Sequence, residues 1–270
     1  MKRSIKYITV VAVLCFLYAA FLLIYDRKQN VGDAPVLTAP ESVLQVSVHT
    51  DEKTLLDGVK ASDKEDGDLT NDIYIENISA FDDQQVRTIT YAVFDSDDHI
   101  VRTTRQLKYT DYTAPEITIK KALCYYYVTS TEEYKDFVSA SSCVDGDISA
   151  QISVEREIYE GDNHYVLYSV TDSCGTKTSL KLKADMLNTN PNINITLDEY
   201  LLRVPVGTVI NPNRHIEEIE TMGMVDNSLI SLVEITSNYN SEVSGMYEFV
   251  YRISRANGDF GMTKLVVIVE

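Results

Sequence analysis

Tryptophan is absent from the 270 residues, and histidine and cysteine number only four each. That supply leaves little material for a multi-ligand zinc site or a thiol-rich scaffold. Basic residues are short as well: 24 Lys and Arg stand against 41 Asp and Glu, a net charge of −17. Phosphate recognition needs a basic face, so no nucleic acid is expected among the partners. Catalytic patterning is also missing. His49, His99, His164 and His215 fall in separate segments with no HExxH and no Cys-His pairing, and Ser62, Ser142 and Ser244 sit in no nucleophile elbow. The Gly-rich stretches are turns rather than phosphate-binding loops. These gaps predict a chain that is not an enzyme.

What the sequence does have begins at its N-terminus. Tyr7 to Tyr25 is a run of 19 residues without a charge, and as a helix it spans roughly 28 Å, the thickness of a bilayer core. Lys2, Arg3 and Lys6 precede it, and Tyr7 and Tyr25 sit where aromatic belts form. The positive-inside rule then keeps residues 1–6 in the cytoplasm and places everything after Asp26 outside. A cleaved signal peptide shares the basic-then-apolar pattern, but no small-x-small cleavage site follows Ile24. Leu14 before Cys15 does not suit a lipoprotein signal, and Cys15 fits a lipid-facing apolar position. The expectation is one transmembrane signal-anchor helix over 7–25, a linker over 26–33, and a single-pass protein of the cell membrane whose C-terminal domains lie outside. Past residue 28 the other 242 residues carry 19 basic against 40 acidic groups, a net charge of −21. Such a field repels anionic lipid and attracts cations or basic partners.

The exported part repeats itself. Asp66-Gly67-Asp68-Leu69-Thr70 recurs as Asp145-Gly146-Asp147-Ile148-Ser149, an offset of 79. A third copy at an offset of 160 sets Asp226, Leu229, Val233 and Ile235 opposite Asp66, Leu69, Ile73 and Ile75, with Gly-Asp replaced by Asn227-Ser228. Later in each unit comes a strictly alternating strand: Ile89, Tyr91, Val93; then Val166, Tyr168, Val170; then Phe249, Tyr251, Ile253. A period of two means one buried face and one wet face. Each strand runs into a turn rich in Asp, Asn, Ser or Gly, and a last strand follows, most plainly Leu265 to Val269. Repeats of roughly 75 to 80 residues, with turn signals every ten or so, predict small Ig-like sandwiches. The fold class is therefore all-β: three tandem Ig-like β-sandwich domains over 34–110, 111–187 and 188–270. With few residues between them, an elongated array with limited bending at the joints is expected.

The unit openings Ala34-Pro35, Ala114-Pro115 and Pro191-Asn192, the segment Gly58-Val59-Lys60-Ala61-Ser62-Asp63 leading into the Asp-Gly-Asp loop, and Tyr91-Ala92-Val93-Phe94-Asp95-Ser96 together resemble a known family. It is the bacterial Ig-like surface-protein repeat, itself similar to hyalin repeats and more distantly to cadherins. The resemblance covers residues 34–270 and is weakest in the third copy. It implies an extracytoplasmic, non-enzymatic module of a Gram-positive bacterial envelope, and its motif is structural, so it brings no catalytic residue. The chain departs from typical members in its N-terminal anchor and in the lack of a sorting signal after Val266 to Glu270, so covalent attachment to a wall is not expected.

Two constellations could carry chemistry. Asp63, Glu65, Asp66 and Asp68 lie between two strands, at the pole expected to hold the turn with Asp95, Asp97 and Asp98. Converging carboxylates suit calcium, a hard cation wanting six to eight oxygens; turn formation by Asp-Gly-Asp is the plainer alternative. In the second unit Cys143 and Val144 break the acidic run, so a calcium site is confined to the first. Cys143 and Cys174 align with Lys64 and Asp97 of the first unit, on adjacent loops. A disulfide between them would close a loop of some 30 residues and contribute about 3 kcal/mol in the chain-entropy model, leaving Cys124 over. Tyr125-Tyr126-Tyr127 offers aromatic rings on a strand for carbohydrate or protein contact. The functional expectation is a spacer, adhesion or docking module for another envelope or surface protein, with a cell-wall or glycan-binding module, or the accessory ectodomain of a membrane complex, as alternatives.

Overall fold

The computed structural model describes residues 13–22, 32–125 and 133–270. Helix α1 covers residues 13–22, and every side chain on it except Ala20 is exposed. Among the described residues no helix is long and apolar enough to cross a membrane. The remainder of the expected 7–25 span, the N-terminal residues 1–6 and most of the 26–33 linker lie outside the described residues, as do Tyr126 and Tyr127.

The rest is all-β, built three times on one plan. In the first sandwich β1 (Val36–Thr38), β3 (Lys60–Asp63) and β4 (Gly67–Asp68) form one sheet in the order β1-β3-β4. Strands β2 (Leu44–Val46), β5 (Tyr74–Ile78), β6 (Arg87–Phe94) and β7 (Ile100–Tyr109) form the other, in the order β2-β7-β6-β5. The first strand of the unit is thus split: β1 pairs antiparallel with β3, and β2 crosses over to pair parallel with β7. Helix α2 (Glu52–Leu55) joins the sheets and is capped by Asp51, whose Oδ1 accepts the Thr54 N–H at 3.0 Å.

The second sandwich repeats this with β8 (Glu116–Ile119), β10 (Val138–Ser142) and β11 (Gly146–Asp147) against β9 (Cys124–Tyr125), β12 (Ser153–Glu160), β13 (Asn163–Thr171) and β14 (Lys177–Met186). The third has β15 (Ile193–Leu197), β17 (Ile216–Thr221) and β18 (Met224–Val225) against β16 (Leu201–Val204), β19 (Glu234–Ser237), β20 (Gly245–Ser254) and β21 (Phe260–Val269). The alternating strand supplies each core. Ile89, Tyr91 and Val93 are fully buried in the first; Val166, Tyr168 and Val170 fill the second; Phe249, Tyr251 and Ile253 fill the third. A buried phenol needs a partner, and each repeat solves this in the same way. Tyr91 donates its O–H to the carbonyl of Leu55 (2.7 Å), Tyr168 to that of Tyr134 (3.0 Å) and Tyr251 to that of Pro212 (2.9 Å), every acceptor lying in the short helical segment that bridges the two sheets.

The chain divides into two compact units, residues 1–110 and 111–270. The second and third sandwiches therefore fall within one of these units. Strand β21 is the physical reason, because it is buried on both faces. Leu265, Val267 and Val269 point into the core of their own sandwich, while Val266 and Ile268 pack with Ile117, Leu182 and the rest of the second core. Lys264 shares the latter face and is 1% exposed. Its ammonium donates to the Lys183 carbonyl (2.6 Å), Asp185 Oδ2 (2.7 Å) and Glu248 Oε1 (2.9 Å), so all three protons are used. Burial alone would lower its pKa, but Glu248 and Asp185 outweigh that and hold the lysine charged, above its ordinary range. Arg203 adds a peripheral contact to Glu116 at 3.0 Å.

Candidate functional site

The acidic pole of the first sandwich is assembled from turn chemistry. Asp63 closes β3, and its Oδ1 accepts the N–H groups of Glu65 (2.7 Å) and Asp66 (2.8 Å), an Asx turn that lets three residues connect β3 to β4. Asp66 reaches outward: its Oδ2 accepts the Ser96 N–H at 2.8 Å, pinning this turn to the one between β6 and β7. Asp68 Oδ1 accepts from the Thr70 N–H at 2.9 Å. Asp95 Oδ1 accepts from the Asp97 and His99 amides (2.9 and 2.7 Å), and its Oδ2 lies 2.6 Å from His99 Nδ1. Asp97 accepts the Gly32 N–H at 2.9 Å. Glu65 touches Lys64 at 3.8 Å, and Asp98 adopts a left-handed conformation with φ of 65°.

The two loops meet, as their place in the sandwich requires, but mainly through backbone amides. Among the described residues no three His, Cys, Asp or Glu side chains form a set that could hold a metal ion. Among them too, Asp63 Oδ2 is the only buried side-chain oxygen or nitrogen without a hydrogen bond. The hydrogen bonds from Thr70 hold the Asp68 carboxyl below its usual range. Burial opposes the same effect at Asp95, but the His99 amide and ring prevail and lower it, while the Asp95 hydrogen bond raises His99.

The second sandwich repeats these bonds at the equivalent positions. Ser142 Oγ replaces Asp63 and accepts from the amides of Val144 (3.1 Å) and Asp145 (3.2 Å); Asp145 Oδ2 accepts the Ser173 N–H (2.8 Å); Asp147 Oδ1 accepts the Ser149 N–H (2.9 Å). The third sandwich corrects the sequence register. The β17–β18 connection is a two-residue turn, Met222-Gly223, with both residues at positive φ (53° and 74°), so the acidic turn is absent. Asn227 Oδ1 accepts the Ile219 N–H there, as Thr70 Oγ1 accepts that of Ala61. Asp226 thus stands beside the position of Leu69 rather than opposite Asp66.

No disulfide joins Cys143 to Cys174. The Cys143 thiol turns to the chain entering the sandwich, donating to the Thr113 carbonyl (3.1 Å) and accepting the Thr113 N–H (3.4 Å), while Cys174 is buried in the turn between β13 and β14. Cys124 sits beside Lys264, and burial pushes its thiol up to about 12.

A second site was not legible beyond Tyr125: an open cleft of about 780 Å³ at the hairpin end of the second sandwich. Strands β12 and β13 join through the two-residue turn Gly161-Asp162, with Gly161 at φ 60°. A bulge at Glu155 shifts the alternation, so Glu157 and Tyr159, not Ile158, fall on the core side of the sheet, opposite Val166 and His164. The rings of Tyr159 and His164 stack 4.5 Å apart at 3°. Tyr134 stands edge-on to His164 at 6.1 Å, and Tyr125 edge-on to Tyr134. Glu157 Oε2 gathers them, accepting from Tyr159 O–H and lying 2.9 Å from His164 Nε2, with Tyr134 O–H at 3.3 Å. The Tyr159 hydrogen bond leads in keeping the Glu157 carboxyl below its usual range. The end of β14, residues 183–186, completes the wall.

No family model and no curated protein matches the chain. Among solved structures it is similar to the M60 catalytic domain with the CBM51-1 and CBM51-2 domains from Clostridium perfringens ZmpB, at 10% identity, 87% of this chain, 30% of that one and a TM-score of 0.24. It is likewise similar to human CDH23 EC21-23 (11% identity, 87% and 100% coverage, TM-score 0.22) and to a lipoprotein from Bacteroides thetaiotaomicron (12%, 86% and 98%, 0.21). The chain spans less than half the length of the two ZmpB structures it matches.

Proposed function

We propose that the chain is a membrane-tethered, extracytoplasmic and non-enzymatic repeat protein of a Gram-positive type of envelope, in which the sandwiches hold a docking or adhesive surface for another surface component. The observation that carries this reading is α1. Its Leu14, Phe16, Leu17, Tyr18 and Phe21 are all exposed, and a helix that is apolar on every side takes lipid or a protein core as its solvent. Lys2, Arg3 and Lys6 before it give it a direction across a bilayer. The titratable groups of the sandwiches support a mechanical role, since Asp66, Asp145 and Lys264 serve to join turns and sandwiches.

Fractionation tests the tether. The full chain is expected in the membrane pellet after alkaline carbonate washing, and a chain starting at residue 29 in the supernatant; recovery of the full chain as a soluble protein contradicts the reading. Cross-linking in intact cells tests the docking role, with one reproducible partner expected.

A further inference from the structure

We propose that the cleft at the hairpin end of the second sandwich is a binding site for a neutral sugar ring. A pyranose has a C–H face of about the size of an aromatic ring and a rim of hydroxyl groups, so its site needs an exposed aromatic platform flanked by donors and acceptors. The cleft supplies both. Tyr159 is 70% exposed, and because its inner face is stacked on His164 its outer face is presented to solvent as a rigid plate. At its edge Glu157 has committed Oε2 to three side chains, while Oε1 accepts no hydrogen bond from a described residue. The Tyr125 hydroxyl, 3.3 Å from that of Tyr134, adds a group that can donate or accept. A volume of about 780 Å³ lies within the range of small-molecule sites, roughly 300–1,000 Å³.

Preorganisation and comparison among the repeats strengthen the assignment. The Tyr134 carbonyl is fixed by the Tyr168 phenol and its hydroxyl lies 3.3 Å from that of Tyr125, so the wall is set before a ligand arrives. In the first sandwich the position of His164 belongs to Arg87, which is 4% exposed and donates to the carbonyls of Ser79 and Ile78 and to Tyr109. In the third it belongs to Tyr247, which donates to the Val243 carbonyl and packs edge-on against Tyr239. The fold therefore does not require an open aromatic cleft here. A sugar suits it better than a quaternary ammonium ion, because Tyr159 presents one open ring face rather than several rings around one point.

This inference is independent of the membrane reading and holds whether or not α1 is a tether. Saturation-transfer NMR on the full chain in detergent tests it, with the methyl glycosides of glucose, galactose, mannose and N-acetylglucosamine as probes and choline chloride as the competing cation. At least one glycoside is expected to receive saturation and to shift the His164 ring signals while leaving His49 unmoved. Tyr159→Ala, at an exposed position that leaves the core intact, is expected to weaken that glycoside about tenfold or more, with an unchanged circular dichroism spectrum. Silence across the glycosides, binding by choline alone, or equal affinity in Tyr159→Ala would each overturn the proposal.

Discussion

At the scale of single residues, the same few side chains do the same work in successive repeats, and that makes their roles testable. Asp66 and Asp145 each receive a backbone amide from the neighbouring turn. We expect Asp66→Ala to cost about 0.5–1 kcal/mol in urea denaturation, by the same amount with and without calcium; a loss seen only in calcium would instead assign Asp66 to a cation. His99 gives a pH signature. Its pKa is raised by Asp95, so its stabilisation is complete below the unfolded value near 6.5 and declines as pH rises through the higher folded value. His99→Gln should abolish that alkaline decline, read as the change in melting temperature from pH 6 upward. Much of this was legible, because Tyr91, Tyr168 and Tyr251 mark the inward face by alternation alone. The turn role of the acids was an open alternative to calcium, since a sequence shows carboxylates but not the amides they meet.

Among elements, the β12–β13 hairpin shows why part of the site escaped the sequence. Straight alternation from Val154 puts Arg156 and Ile158 on the inner face. The bulge at Glu155 moves the phase by one, and Glu157 and Tyr159 take that face instead. The third acidic loop was misplaced for a related reason: its connection is shorter, so apolar positions at an offset of 160 concealed a local slip beside Asp226. Strand β21 did carry a readable sign. Leu265 to Val269 is apolar without alternation, the pattern of a strand covered on both faces. For the hairpin, Gly161→Ala forces a side chain onto φ of 60° and is expected to destabilise by about 1 kcal/mol. Thermal denaturation of the full chain measures this; an unchanged midpoint would show that the turn tolerates another geometry.

For the whole molecule, the brace at Lys264 joins the second and third sandwiches. Removing one partner of a buried ion pair leaves charge without compensation. Lys264→Met should therefore cost about 3 kcal/mol and separate the opening of β13 from that of β21 in native-state hydrogen exchange, whereas the parent chain should open both together. Equal protection before and after the substitution would mean that apolar contact at Val266 suffices. No alternation or motif pointed to this brace, because Asp185 comes from β14 of the second sandwich while Glu248 and Lys264 lie on the paired strands β20 and β21 of the third. The tether reading is most directly tested by topology: protease applied to intact cells carrying the full chain with a tag at each end. The account predicts loss of the C-terminal tag and protection of the N-terminal one; a C-terminal tag that survives until the membrane is opened would contradict it.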